Sequence, residues 1–109
     1  MNFSEYQERA KETANYPTLG HPVIYPVLGL AGEAGEVAEK IKKLFRDKEG
    51  EMTGEFKIAI IKELGDVLWY VAAIATELRL DLDAIAQTNI VKLSLRLKNN
   101  TINGEGDNR

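Results

Sequence analysis

Two short acidic motifs, thirty residues apart, carry the clearest chemistry in this chain. Glu33 and Glu36 form the first pair and Glu63 and Asp66 the second, and in both motifs a glycine precedes the second acid and a valine follows it. On an α-helix, residues three apart are separated by about 300° around the axis and about 4.5 Å along it, so they share one side. We therefore expect each motif to present two carboxylates on one helix face.

Apolar residues at helical spacing lie beside both acid pairs, so each pair borders a predicted core stripe. The first stripe is Leu30, Ala34, Val37, Ile41 and Phe45, and the second is Ile60, Leu64, Val67, Leu68, Val71, Ile74 and Leu78. If the two helices pack antiparallel, as a short connection favours, both acid pairs face the same side. Four carboxylates would then converge on one site.

Converging carboxylates require compensation of their charge. Like charges a few ångströms apart in a partly desolvated groove repel, and proteins respond by raising a pKa or binding a cation. Mg²⁺ takes a few carboxylates and completes its octahedral shell with water and phosphate oxygens. The motifs therefore predict an Mg²⁺ site, with Mn²⁺ as the alternative metal, for a phosphate-bearing substrate. The simpler interpretation is surface charge, since Glu36 and Lys40 also form a helix-stabilising pair.

Composition excludes several other kinds of protein. With 109 residues, 44% of them hydrophobic, the chain suits one globular domain with a modest core. Its net charge of -3 gives no electrostatic reason to bind nucleic acid or an anionic membrane. There is no cysteine and only one histidine, His21, which excludes disulfides, thiolate nucleophiles and histidine-rich metal sites. No signal peptide or long apolar run is visible, so we expect a cytoplasmic protein.

Helical spacing covers most of the chain, and no strand pattern competes with it. The first helix is predicted from about Ser4 to Asn15, opening on a capping box formed by Ser4 and Gln7. Residues from Tyr16 to Tyr25 show no periodicity and contain prolines and a glycine, which predicts a loop.

Three further helices complete the predicted fold. One begins between Pro22 and Val27 and ends near Arg46, one is capped by Thr53 and runs to about Arg79, and one is capped by Asp81 and ends near Lys98. Residues 99–109 are polar and contain glycine, which predicts a mobile tail. Residues 1–98 are thus expected to form one all-α, four-helix bundle-like domain.

Some apolar residues have no place in a single four-helix core: Ile58, Trp69, Val91 and Leu95. Apolar residues on a second helix face are commonly buried against another subunit, so we expect a homodimer or a dimer of dimers.

Two glycines recur at the same offset within the acidic motifs. Gly35 and Gly65 each cost about 1 kcal/mol relative to alanine in a helix interior. Their recurrence favours a role in close packing, although simple tolerance of glycine would explain either one alone.

Polar side chains near the acids could contact a substrate. Tyr70 and Lys40 each lie four residues after the second acid of a motif and could reach a phosphate oxygen, although a tyrosine there is commonly a packing residue. His21, on the loop, could contact a base or sugar, although most single loop histidines have no such role. One edge of the fourth helix carries three further candidates for phosphate contact, or else a solvated basic edge: Asn89, Lys92 and Arg96.

The two motifs, in this order, resemble the MazG-like family of all-α nucleoside triphosphate pyrophosphohydrolases. That family's pattern is E-x-x-E followed, after a spacer, by E-x-x-D, and all four acids are present here. Downstream, the segment from Asn89 through Lys92 to Arg96 is similar to the family's third segment. The resemblance covers roughly residues 3–98.

The resemblance implies hydrolysis of a nucleoside triphosphate between its α and β phosphates, giving a nucleoside monophosphate and pyrophosphate. The expected role is removal of non-standard or excess nucleotides. Glu36 and Glu63 would be the catalytic carboxylates, and Glu36 is best suited to accept the proton of the attacking water. Substrate contacts would come from Tyr70, Asn89, Lys92, Arg96 and His21, and Mg²⁺ would be held by Glu33, Glu36, Glu63 and Asp66.

Two alternatives belong to other classes of protein. A non-enzymatic helical dimerisation module would carry the same acids as surface charge, and Mg²⁺ would leave its melting temperature unchanged. A ferritin-like di-iron bundle would need two Glu-x-x-His pairs, and the sequence contains none.

Overall fold

A computed structural model describes all 109 residues as four α-helices without a strand. The helices are α1 (Phe3–Lys11), α2 (Ile24–Asp47), α3 (Gly54–Glu77) and α4 (Leu82–Lys98). This confirms the predicted all-α class and the number of helices. None of the four combines the length and the hydropathy that crossing a membrane requires.

Three of the four helices begin at a side-chain cap, and two of these caps are those predicted; α2 begins after Val23 without one. The Thr53 hydroxyl accepts from the Phe56 amide at 3.1 Å, and the Asp81 carboxylate accepts from the Asp83 amide at 3.1 Å. Helix α1 instead begins after Asn2, whose side chain accepts from the Glu5 amide at 2.8 Å. Each cap satisfies an amide that has no partner within its helix.

The predicted capping box of Ser4 and Gln7 is wrong, because both side chains make long-range contacts. The Ser4 hydroxyl donates to Asp81 at 2.9 Å. The Gln7 amide nitrogen donates to the Thr76 hydroxyl and to the Leu80 carbonyl, while its oxygen accepts from the backbone amide after Asp81. These bonds fix α1 across the connection between α3 and α4.

Two helices are shorter than predicted. Helix α1 ends at Lys11, four residues early, because the Thr13 hydroxyl and amide both bond to the Ala10 carbonyl and the chain then turns towards Pro17. Helix α3 ends at Glu77, and Arg79 follows in the left-handed region with a φ of 58°.

Helices α2 and α3 pack antiparallel. Gly29 contacts Tyr70, Lys40 pairs with Glu63, and further along α2 the side chain of Leu44 lies beside α3's first turn. Helix α1 packs on α3, while α4 contacts mainly α1. The buried apolar side chains belong to α2, α3 and the start of α4: Pro26, Leu44, Ala72, Ala73, Ala75 and Leu82.

This core is small for the chain. Only 7 of 109 residues are buried, and the radius of gyration is 16.8 Å, whereas a compact domain of this length has about 13 Å. Two residues of the predicted core stripes are therefore wrong for the single chain, since Phe45 and Leu64 are more than half exposed. The predicted mobility of residues 99–109, which contain no helix or strand, stays a prediction.

Candidate functional site

Three of the four motif acids meet between α2 and α3. The carboxylates of Glu33, Glu63 and Asp66 each offer an oxygen, and these oxygens all lie within 4.8 Å of one another. We call these three residues the acid cluster. The antiparallel pairing of α2 with α3 creates it, because Glu33 is thereby set opposite the second motif. Glu36 lies on the same helix, exposed, and outside the acid cluster.

Negative charge is concentrated in the acid cluster. Burial raises the pKa of the Glu33 carboxyl, and the charges of Asp66 and Glu63 raise it further. The nearest cation is Lys40, whose ammonium lies 3.6 Å from a Glu63 oxygen. One ammonium cannot neutralise three carboxylates, so the site has a net affinity for further positive charge.

The donor set suits a hard divalent cation. Carboxylate oxygens from three residues match the oxygen ligands that Mg²⁺ uses, and they leave positions for water and phosphate. The raised pKa of Glu33 is consistent with this fit, because burial is its largest cause and repulsion by Asp66 and Glu63 its next, and a bound cation would relieve that repulsion. The cluster lines none of the chain's four main cavities, and Asp66 is exposed, so the cluster is accessible from solvent.

Two tyrosines flank the acid cluster. Burial raises the pKa of Tyr70, as do the neighbouring Tyr25 phenol and the charge of Glu33. Burial also raises the pKa of Tyr6 on α1, with a second contribution from the charge of Asp66. Tyr70 was predicted from its spacing, whereas Tyr6 was missed because only the docking of α1 on α3 brings it near an acid.

An aromatic cluster holds the loop between α1 and α2 against α3. The rings of Tyr16 and Tyr25 stack with their centres 5.5 Å apart, and Trp69 meets Tyr16 and Tyr70 edge-on at 6.2 and 5.1 Å. The Tyr16 hydroxyl donates to Glu77 at 2.6 Å, and burial followed by this bond raises its pKa to about 12. These contacts fix the first turn of α2 beside Tyr70.

Trp69 corrects part of the subunit-interface prediction. Its indole nitrogen donates to the Thr13 hydroxyl at 2.8 Å, and the aromatic cluster covers its ring. It therefore packs within the chain, unlike Ile58, Val91 and Leu95, which are 61%, 48% and 54% exposed.

The glycine with a packing role is not one of the two predicted. A Cβ at Gly35 or Gly65 would meet no atom within 4 Å, so within this chain the predicted close packing is wrong. A Cβ at Gly29 would overlap the ring of Tyr70. Gly29 thus lets α2 approach α3 closely enough to seat that tyrosine beside Glu33.

Comparison with known proteins agrees with this geometry. Residues 26–101 match the family described as MazG nucleotide pyrophosphohydrolase domain. The chain belongs to the MazG family. It is also 44% identical over 114 residues, along the full length of both chains, to the Gene 37 protein of Mycobacterium phage L5. No solved structure matches it.

The remaining predicted site residues of this MazG domain are spread over other surfaces. His21 is exposed on the loop, where its Nδ1 accepts from the Val23 amide at 3.1 Å. Asn89 is exposed on α4. Lys92 and Arg96 both contact Asp107 in the tail, and neither forms an ion pair with the acid cluster. Within one chain, the α4 residues are thus not gathered with the acids.

Proposed function

We propose that the chain is an Mg²⁺-dependent nucleoside triphosphate pyrophosphohydrolase that releases a nucleoside monophosphate and pyrophosphate. The observation that carries this proposal is the convergence of Glu33, Glu63 and Asp66 in a chain of the MazG family. The proposed role is removal of unwanted (deoxy)nucleoside triphosphates from the cytoplasmic pool.

In this proposal the acid cluster holds Mg²⁺, with Glu36 as a further ligand from the next turn of α2. When bound, the metal would neutralise phosphate charge and lower the pKa of a water ligand. Glu36 is exposed and lies outside the acid cluster, so it is best suited to accept the proton of the attacking water. Glu63 is the second catalytic carboxylate, and the Lys40 ammonium lies 3.6 Å from one of its oxygens.

Substrate binding would draw on groups around this centre. Lys40 and Tyr70 lie beside the acid cluster and can donate to phosphate oxygens. His21 is proposed to contact the base or sugar, since it lies on the loop that precedes α2. On α4, the proposed phosphate contacts are Asn89, Lys92 and Arg96.

A homodimer or a dimer of dimers forms part of the proposal. Large apolar side chains remain exposed along two helices, and a second copy of the chain would bury them. Its packing would also supply a wall to the open acid cluster. The exposed residues on α3 are Ile58, Ile61 and Leu64, and those on α4 are Ile90, Val91, Leu95 and Leu97.

Product analysis tests the proposed reaction. A panel of canonical and modified (deoxy)nucleoside triphosphates is incubated with the protein and Mg²⁺ or Mn²⁺, and the products are separated by ion-exchange chromatography. We expect pyrophosphate rather than orthophosphate from at least one substrate, and no turnover in chelator. Glu63→Gln should abolish turnover, whereas Glu39→Gln, on a carboxylate paired with Lys42 and Lys43, should change it little. Absence of turnover with every triphosphate would contradict the proposal.

The exposed apolar faces also fit a non-enzymatic dimerisation module, the second candidate function. In that case the acids are surface charge and Mg²⁺ binds nowhere specific. A melting temperature that stays constant as Mg²⁺ is added, together with no turnover, would favour this module over the enzyme.

A further inference from the structure

The segment after α4 turns back along that helix. Asn100 adopts the left-handed conformation with a φ of 58°, and the Thr101 amide then donates to the Arg96 carbonyl at 2.8 Å. At the end of the chain, the Arg109 guanidinium donates to the carbonyls of Thr101, Ile102 and Gly106. This closed turn sets Asp107 against the basic edge of α4.

Asp107 acts as the anion for two cations of α4. Its carboxylate lies 3.2 Å from the Lys92 ammonium and 3.4 Å from the Arg96 guanidinium. Lys92, and after it Arg96, hold the pKa of the Asp107 carboxyl below its usual value. Asp107 is itself 85% exposed, so this ion pairing is weak and reversible.

Arg96 is unusual because it is 5% exposed and only partly satisfied. All of its side-chain bonds to the tail are made by Nη2, to the carbonyls of Gly106 and Asp107 and to the Asp107 carboxylate. Its Nε is buried without a hydrogen-bond partner. A phosphate group can accept from Nε and Nη2 together, which the tail does not do.

We propose that Asp107 competes with a phosphate group of the nucleotide or of pyrophosphate for Lys92 and Arg96, so that the tail restrains ligand binding. This regulation rests on the proposed function, because it takes the ligand to be a phosphate. A phosphate carries more charge than a carboxylate and can use both arms of the guanidinium, so it displaces Asp107 when its concentration is sufficient.

Binding of inorganic pyrophosphate to the full chain tests the proposal. Binding is measured by calorimetric titration in low-salt buffer that contains chelator. Because no metal is present, pyrophosphate cannot bind to the acid cluster through one. Asp107→Asn keeps the shape of the side chain and removes its charge, and we expect the Kd for pyrophosphate to fall about two- to five-fold, as for loss of an exposed ion pair. Lys92→Gln should weaken binding and reduce the effect of Asp107→Asn.

The matched control is Glu105→Gln, which removes a carboxylate that makes no contact with either cation. Its Kd should equal that of the parent chain. Three results would overturn the proposal: an unchanged Kd in Asp107→Asn, an equal fall in Kd in Glu105→Gln, or no pyrophosphate binding by any chain. Circular dichroism confirms that the compared chains fold alike.

The outcome is separable from that of the proposed function. Pyrophosphate binding is measured without turnover, so a tighter Kd in Asp107→Asn supports tail competition even if no triphosphate is hydrolysed. Conversely, hydrolysis with the same Kd in both chains would support the enzyme and overturn the competition.

Discussion

Replacing Glu33 with glutamine should stabilise the metal-free protein. The oxygens of the acid cluster lie within 4.8 Å of one another, and at that distance two unit charges in water repel by about 0.9 kcal/mol. Glu33 faces two such charges, so its neutralisation relieves roughly 1 to 2 kcal/mol, nearer the lower value because the site is partly exposed and Lys40 offsets Glu63. In a domain of this size, about 1 kcal/mol raises the Tm by roughly 4 to 8 °C.

Mg²⁺ should reverse this order of stability. At a concentration about 100 times its Kd, a ligand that binds only the folded state adds about 2.7 kcal/mol. The parent chain gains this stabilisation and Glu33→Gln, which lacks a ligand, gains less. Without Mg²⁺ the variant should therefore have the higher Tm, and with saturating Mg²⁺ the parent should have it.

The direction in which pH changes the stability of the metal-free parent follows from the pKa of Glu33. The pKa of Glu33 is higher in the folded chain than its ordinary value of 4.5, so the folded state holds the proton more tightly. The metal-free parent thus loses stability as pH rises from that ordinary value through the raised one, and the advantage of Glu33→Gln vanishes in acid. Thermal melts with chelator or Mg²⁺ at several pH values measure both effects.

Glu39→Gln is the matched control for these melts. Glu39 is paired with Lys42 at 2.7 Å, so its loss should lower the Tm slightly in both conditions. Glu77 is unsuitable as a control because it accepts the Tyr16 hydroxyl bond. If Glu33→Gln is less stable than the parent in chelator, the repulsion is wrong. If Mg²⁺ stabilises both chains equally, Glu33 is not a metal ligand.

Three further predictions follow from packing. Gly29→Ala should lower the free energy of unfolding by about 1 to 3 kcal/mol in urea melts, because its Cβ overlaps Tyr70, whereas Gly35→Ala, in open space, should raise it by up to about 1 kcal/mol. Because the pKa of Tyr16 is raised from 10.0 to about 12, its protonated phenol stabilises the fold below pH 10, and this stabilisation is lost as pH rises towards about 12. The free energy of unfolding of Tyr16→Phe should therefore depend less on pH between these two values than that of the parent. Light scattering should give the mass of a dimer or of a dimer of dimers, and a mass near 12.2 kDa, that of one chain, at micromolar concentration would refute association.

Features that depend on residue spacing within one helix, or on the antiparallel packing of neighbouring helices, could be predicted from the sequence. The number of helices, the caps at Thr53 and Asp81, and the meeting of Glu33 with the second motif all follow from spacing within one helix plus antiparallel packing. Ser4 and Gln7 match a local cap equally well, yet the docking of α1 gives them distant partners. Sequence pattern cannot choose between a local and a distant hydrogen-bond acceptor.

The packing prediction for Gly35 and Gly65 is wrong for a related reason. Gly35 and Gly65 were distinguished by recurrence in the sequence, whereas Gly29 matters because of the ring that lies opposite it. Which glycine faces a large side chain depends on the register between α2 and α3. That register is a tertiary property, because it depends on how the side chains of the two packed helices interdigitate.

Three features of the single chain are unsatisfied, and each calls for a different addition. The acid cluster carries excess negative charge, the faces of α3 and α4 expose apolar side chains, and Arg96 has a buried Nε without a partner. A divalent cation, a second copy and a phosphate would satisfy them respectively, and mass action separates the three. Stabilisation by metal depends on metal concentration alone, while burial between copies makes the Tm rise with protein concentration. A Tm that rises with both, and a pyrophosphate affinity that depends on Asp107, would assign each feature to its own partner.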